Sequence, residues 1–265
     1  MGSYVNPSAT KARLLQAAET LFIEHGYEAM SLRQITTQAG ANLASVNYHF
    51  GSKEALIQEL LSRRLDRLNQ ERAELLAACE QRYGGRAMEV SVVLSVMFVP
   101  ALRLARDCAG GPAFMRLLGR VYIDPSPFIR SYLHDHYQTF FERFFAAFAR
   151  ALPNLSRNEL GVRLQFSLKA VSGVLAGENL DALIAAMCVG GAVSDSLLLS
   201  RLVAFISPML TTPFGQPEHT DAIERVMTLA DAAAHAADQH PNREPVVVSN
   251  AVDSQALWLA SVARL

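Results

Sequence analysis

Six side chains between positions 33 and 53, Arg33, Ser45, Asn47, Tyr48, His49 and Lys53, have the chemistry of a surface that grips a polyanion. Guanidinium, ammonium, hydroxyl, carboxamide and imidazole groups hydrogen-bond phosphate oxygens and pair with base edges. Lys53 follows Ser52, a residue type that caps helices. That spacing sets an ammonium beside the free backbone amides of a helix N-terminus, a natural phosphate site. Arg33 stands just after another helix start, where the helix dipole disfavours a cation, so helix stability does not account for it.

The elements that must position these groups are written in caps. Ser31 followed by Gln34 is a capping box, which begins a helix whose Leu32, Ile35 and Ala39 share one face. Gly40 supplies the residue that takes positive φ where that helix stops. Asn42 then caps a second helix, Leu43 to His49, with Val46 and Phe50 inward and the polar Ser45, Asn47, Tyr48 and His49 free to read something. Upstream, Thr10 is placed to cap a helix that carries Leu14, Ala18, Leu21, Phe22 and His25 on one stripe and ends at Gly26. Two short helices around a tight turn, backed by a third and followed by a long one, follow the grammar of a helix-turn-helix DNA reader.

The stretch LLQAAETLFIEHGYEAMSLRQITTQAGANLASVNYHFGSKEALI, about a fifth of the chain, resembles the N-terminal domain of the TetR family of one-component transcriptional regulators. The resemblance implies that the second helix and the recognition helix enter the major groove. It puts the base-reading arginine on Arg33, recognition-helix contacts on Leu43, Ala44, Ser45 and Asn47, and phosphate contacts on Tyr48, His49 and Lys53. Two positions depart from the usual pattern: Asn47 stands where many members have tyrosine, and Leu43 where many have lysine or another polar residue.

With 24 Lys+Arg against 25 Asp+Glu the chain has no global basic field, so affinity for DNA must come from a local face, from helix N-termini and from dimerisation. Glu19, Glu24 and Glu28 must then point away from the duplex. A length of 265 residues with 51% hydrophobic content is too large for the reader alone and requires a second domain. The absence of an apolar run of transmembrane length and of a signal pattern leads to the expectation of a cytoplasmic protein with no membrane partner. Cys79, Cys108 and Cys188 are widely separated in apolar contexts and read as reduced core thiols.

Beyond Ser52 the chain reads as helix after helix between Gly and Pro breaks, which predicts an all-α fold in four parts. These are a tail at 1–9, the DNA-binding domain at 10–56, a helical effector-binding and dimerisation domain at 57–216, and a C-terminal extension at 217–265. Within the second domain Met97, Phe98, Phe114, Met115, Phe128, Tyr132, Phe140, Phe141, Phe144, Phe145 and Phe148 form a dense aromatic and methionine set. They suit either core packing or a pocket for a small hydrophobic effector. Arg103, Arg106 and Arg116 are candidate anchors for an acidic head group. Leu160, Leu164, Leu168 and Val171 line one helix, and Leu197, Leu198 and Val203 a later one. The family resemblance makes these two segments the homodimer interface, with monomer core as the other reading.

A second resemblance, of FMRLLGRVYIDPSPFIRSYLHDHY and LKAVSGVLAG, is to the regulatory domain of the fatty-acid-responsive PsrA branch of the TetR family. It implies a fatty acid or acyl-CoA as effector of a repressor released from a palindromic double-stranded operator. In the extension, 217–239 reads as an alanine-rich amphipathic helix, 241–253 as a linker, and Leu257, Trp258, Leu259 and Val262 as a short apolar stretch.

Enzymatic function is not expected. There is no G-x-S-x-G elbow, P-loop, G-x-G-x-x-G after a strand or H-E-x-x-H helix. His134 and His136 are two apart and diverge on a helix, so no metal and no cofactor is expected. The rival from another class is a helical lipid-binding or lipid-sensing dimer with a non-functional DNA reader.

Overall fold

The computed structural model describes residues 7–107, 111–177, 194–213 and 217–239, and all regular structure among them is α-helical. Cys108, Cys188, the 241–253 segment and the apolar stretch at Leu257–Val262 lie outside the described residues. The first helix, α1 (Pro7–Ala29), starts three residues before the expected cap, because proline at an N-terminal helical position is pre-organised and has no N–H to leave unpaired. Thr10 is therefore buried inside the helix and accepts a hydrogen bond from Arg13. Gly26, at φ 77° and ψ 178°, interrupts α1 before its last turn, and His25 is exposed rather than part of the buried stripe.

The capping box is formed. The Ser31 hydroxyl accepts from the Gln34 N–H at 3.3 Å and the Gln34 carboxamide accepts from the Ser31 N–H at 2.8 Å, opening α2 (Leu32–Ala39). Gly40, at φ 57°, ends it. After α3 (Leu43–His49), the Ser52 hydroxyl accepts from the Ala55 N–H and starts α4 (Lys53–Tyr83), a 31-residue helix about 46 Å long. Leu14, Phe22, Ile35, Val46, Leu56, Ile57 and Leu61 close the core of the first three helices against the start of α4. Each such side chain contributes roughly 1.5–3 kcal/mol of burial. This core runs without interruption into Leu117, Val121, Ile129 and Tyr137, so the reader is welded to the base of the second domain.

That domain comprises α5 (Val90–Asp107), α6 (Gly111–Ile123), α7 (Pro127–Ala151), α8 (Arg157–Ala176) and α9 (Asp195–Thr211). Gly119 lets α6 press against α8 backbone to backbone: a Cβ there would stand 2.4 Å from the Ala176 nitrogen and 2.6 Å from the Ser172 oxygen. A second unit begins at Thr212 and contains α10 (Pro217–Gln239), whose Ile223, Val226 and Met227 form an exposed apolar stripe.

Two expected side-chain sets are corrected by the packing. The aromatic and methionine set does not line one cavity. Phe114, Met115, Phe128, Tyr132 and Phe141 pack on the lower core, whereas Met97, Phe98, Phe144, Phe145 and Phe148 belong to an upper core with Leu76, Val93, Leu160, Ile206 and Leu210. Phe140 touches both. The expected dimer stripe likewise faces inward: Leu160, Val171 and Leu198 are buried and Leu164 and Val203 pack on the upper core, while Leu168 is half-buried. The α8 face left in solvent carries Val162, Phe166 and Val174, and α9 exposes Leu197, Phe205 and Met209. Both helices are apolar on more than one side, and sequence spacing alone did not say which side meets its own chain.

Candidate nucleic-acid interface

Two contacts fix the rotation of α3. Asn42 Oδ1 accepts from the Ser45 N–H at 2.9 Å, and Val46 is fully buried. Leu43, Ala44, Asn47 and Tyr48 are consequently exposed, Tyr48 by 79%. Ser45 is half-buried and its hydroxyl donates to the same Asn42 oxygen at 2.9 Å, so it helps complete the cap. His49 is half-buried, edge-on to Tyr48 at 4.9 Å and to Phe50 at 6.1 Å. Arg33, in the first turn of α2, is exposed.

Lys53 differs from the expectation. Its ammonium donates to the Tyr27 carbonyl at 2.7 Å and lies 4.1 Å over the Tyr27 ring, so it is directed into the protein and away from an incoming phosphate. Partial burial pushes its pKa below the ordinary value, against the opposing pull of Glu28, Glu54 and Asp124. The physical reason is the break at Gly26, which exposes a carbonyl of the last α1 turn to the start of α4.

Tyr27 is the hub of a junction that sequence reasoning missed. Its hydroxyl donates to Glu54 at 2.7 Å, its N–H donates to Asp124 Oδ2 at 3.0 Å, and its ring stacks on Phe128 at 4.7 Å. Asp124 Oδ1 also accepts from the Ser126 N–H at 2.9 Å, and the Ser126 hydroxyl donates to Glu28 at 2.7 Å. Arg120 Nε donates to the Ile23 carbonyl at 3.0 Å. The segment joining α6 to α7 therefore holds the end of α1. A signal was present in the Asp-Pro-Ser-Pro turn, but nothing in the sequence paired it with Gly26 and Tyr27.

The reader itself is electrically balanced: Lys11, Arg13, Arg33 and Lys53 offset Glu19, Glu24, Glu28 and Glu54. Two of the acids are taken up internally, since Arg64 of α4 donates to the buried Glu19 at 2.7 Å and Ser126 donates to Glu28. Of these only Glu19 has its charge offset by a cation from outside the reader, and Arg33 stands exposed on α2.

In the second domain Arg103 is exposed, Arg106 pairs with Asp195 of α9, and Arg116 is half-buried with Nε lacking an acceptor. A groove of about 590 Å³ between α4 and α7 takes in Phe128 and Tyr132 from the expected set, beside Ser62, Asp135 and His136. His136 stacks on Tyr132 and lies 3.4 Å from Asp66. Among the described residues no group of three metal-ligating side chains converges, and no helix is long and apolar enough to cross a membrane.

Residues 14–60 match the family described as bacterial regulatory proteins, tetR family, and residues 95–209 match the tetracyclin repressor-like C-terminal domain. The HTH-type transcriptional repressor KstR2 of Rhodococcus jostii is 38% identical over 71 residues, 27% of this chain and 35% of that protein. The HTH-type transcriptional repressor AcnR of Corynebacterium glutamicum is 33% identical over 54 residues, 20% of this chain and 29% of that one. The chain spans about a third of the length of the curated relatives it matches. Among solved structures, Salmonella enterica GusR aligns over 79% of this chain and 99% of its own at 20% identity, with a TM-score of 0.46.

Proposed function

We propose that this chain, which belongs to the TetR family, is a sequence-specific DNA-binding transcriptional regulator: a homodimeric repressor that leaves a palindromic operator when a small hydrophobic effector binds its second domain. The observation that carries this reading is the orientation of α3. Its cap and Val46 hold Leu43, Ala44, Asn47 and Tyr48 outward, and Arg33 of α2 is exposed as well, as side chains that reach base edges and phosphates must be. In this reading His49 and Ser45 act at the rim, and the Lys53 ammonium acts by fixing the junction rather than by touching DNA.

A single reader covers one half-site, so palindrome recognition needs two copies with their recognition helices about 34 Å apart. The exposed face of Val162, Phe166 and Val174 on α8 with Leu197, Phe205 and Met209 on α9 supports pairing with a second copy. Leu197 is the residue common to the face expected from sequence and the face left in solvent.

The effector class, a fatty acid or acyl-CoA, rests on the likeness of the 114–137 and 168–177 segments to the PsrA branch. The ligand acts only if it prefers the non-binding state, and a coupling of about 1–3 kcal/mol changes operator affinity roughly 5- to 150-fold. The route is the junction, because a shift of α6 moves Arg120 and Asp124 and with them the end of α1.

The test is selection of bound fragments from sheared source-genome DNA at about physiological salt. A palindrome with half-sites one helical turn apart, depleted when fatty acids or acyl-CoAs are added, is the expected result. Enrichment of nothing over non-specific DNA, by a protein that still binds those lipids, would favour the rival lipid-sensing dimer.

A further inference from the structure

Arg72 of α4 is 3% exposed, yet each of its partners among the described residues is a neutral dipole. Nε donates to the Met97 carbonyl of α5 at 2.8 Å, and Nη1 donates to Asn69 Oδ1 at 3.3 Å and to the Tyr122 hydroxyl of α6 at 3.4 Å. The Phe140 ring of α7 lies 6.0 Å from Cζ. Nη2 makes no hydrogen bond among the described residues. Two other buried charges among the described residues do have a charged partner: Arg64 answers Glu19 and Glu159 answers Arg163. A guanidinium does not lose its proton in a protein, and a buried cation without a counter-charge is costly.

We infer that Arg72, with Asn69 and Tyr122, is the anion seat of the effector site, and that the effector is an amphiphile bearing one carboxylate. The inference rests on the effector-responsive reading above and narrows its ligand class. The seat lies where α4, α5, α6 and α7 meet, and its neighbours Met97 and Phe140 are apolar and only half-buried. A carboxylate accepts two parallel N–H bonds from a guanidinium fork, which engages the idle Nη2, and it accepts from the tyrosine hydroxyl as well. One guanidinium neutralises one charge. A phosphate or a coenzyme A head would leave negative charge uncompensated at a site with almost no water contact.

The seat is wired to the reader. Tyr122 stands two residues before Asp124, the acceptor of the Tyr27 N–H, so an anion that draws the Tyr122 hydroxyl acts on the segment holding α1.

The test is calorimetric titration of the full chain with laurate, dodecanol, dodecyl phosphate and lauroyl-CoA, on the unaltered protein, Arg72→Gln and Tyr122→Phe. In the unaltered protein laurate is expected to bind about ten-fold or more tighter than the other three. In Arg72→Gln laurate falls to the dodecanol level while dodecanol is unchanged, and Tyr122→Phe loses a smaller part of the preference. Should Arg72→Gln fail to fold, the head-group comparison on the unaltered protein still decides. Equal binding of laurate and dodecanol, tighter binding of the phosphate or coenzyme A ligand, or retention of the laurate preference in Arg72→Gln overturns the anion seat and leaves the hydrophobic-effector reading standing. Binding of none of the four overturns both.

Discussion

The Tyr27 backbone N–H donates to Asp124 Oδ2 across 97 positions of sequence at 3.0 Å, and the residue before it, Gly26, has φ 77°. A Cβ at Gly26 would stand 2.7 Å from that same oxygen. The break in α1 is thus required twice, once by the backbone conformation and once by the close approach of the carboxylate.

Asp124→Ala removes the acceptor of two buried N–H groups, those of Tyr27 and Ser126. A loss of stability of about 1–3 kcal/mol is expected for each group left unsatisfied. Gly26→Ala strains the backbone at positive φ and crowds the same oxygen, and it should also destabilise by more than about 1 kcal/mol. Thermal unfolding of both variants checks this. Unfolding midpoints equal to the parent's would mean that the junction does not hold in solution.

Lys53 gives a prediction opposite to the one its sequence position suggests. With its ammonium on the Tyr27 carbonyl and ring, Lys53→Met should lower stability by roughly 1 kcal/mol. It should leave the salt dependence of DNA binding almost unchanged. A slope shallower by about 0.9 in the variant would put the ammonium on a phosphate instead.

Acid sensitivity follows from carboxylates held below their ordinary value of 4.5, Glu54 and Glu80 among them. Glu54 is held down first by the Tyr27 hydroxyl, then by its own backbone amide and Ser52. Glu80 is held down by hydrogen bonds from Arg143 and Arg150, against partial burial. Because both values are depressed on folding, the stability they contribute is present above 4.5 and is lost as pH falls through the depressed values. Glu80→Gln should therefore reduce the drop in unfolding midpoint between neutral pH and the region below 4.5. At the other end, burial raises Tyr27 and Tyr137 from 10.0, so their contribution is full below 10.0 and fades above it.

The proposed dimer face and the buried stripe of the same helices are different surfaces and separate by mutation. Phe166 and Phe205 are 66% and 68% exposed, and a glutamate at either should leave monomer stability within about 0.5 kcal/mol. It should nevertheless shift sedimentation from dimer to monomer. Leu160 is 1% exposed, and Leu160→Ala should cost about 2–5 kcal/mol of stability. If Phe166→Glu and Phe205→Glu both sediment as the parent does, this face does not pair two copies.

Local signals in the chain read well because they act over three or four residues. Ser31 with Gln34, Asn42 with Ser45, and the Gly and Pro breaks between later helices need only their neighbours to act, and the helices begin and end close to them. Thr10 failed as a cap because Pro7 starts the helix earlier. What did not read was distance. The anchor of Tyr27 lies at Asp124, and the partners of Arg72 lie at Met97 and Tyr122, so neither residue stood out by type or spacing. The rings of α7 were legible as bulky but not as divided between two cores, since a kink at Tyr137 turns the helix partway along.

The most direct test of base reading is the Arg33→Ala variant in the same fragment selection, followed by titration of the recovered operator and of its point variants. Arg33 lies on the exposed face of α2, so its removal should leave the fold intact. The account predicts a loss of about 1–3 kcal/mol on the operator, with blurred preference at one position in each half-site and unaltered binding to non-specific DNA. Unchanged affinity and unchanged base preference in Arg33→Ala would contradict it.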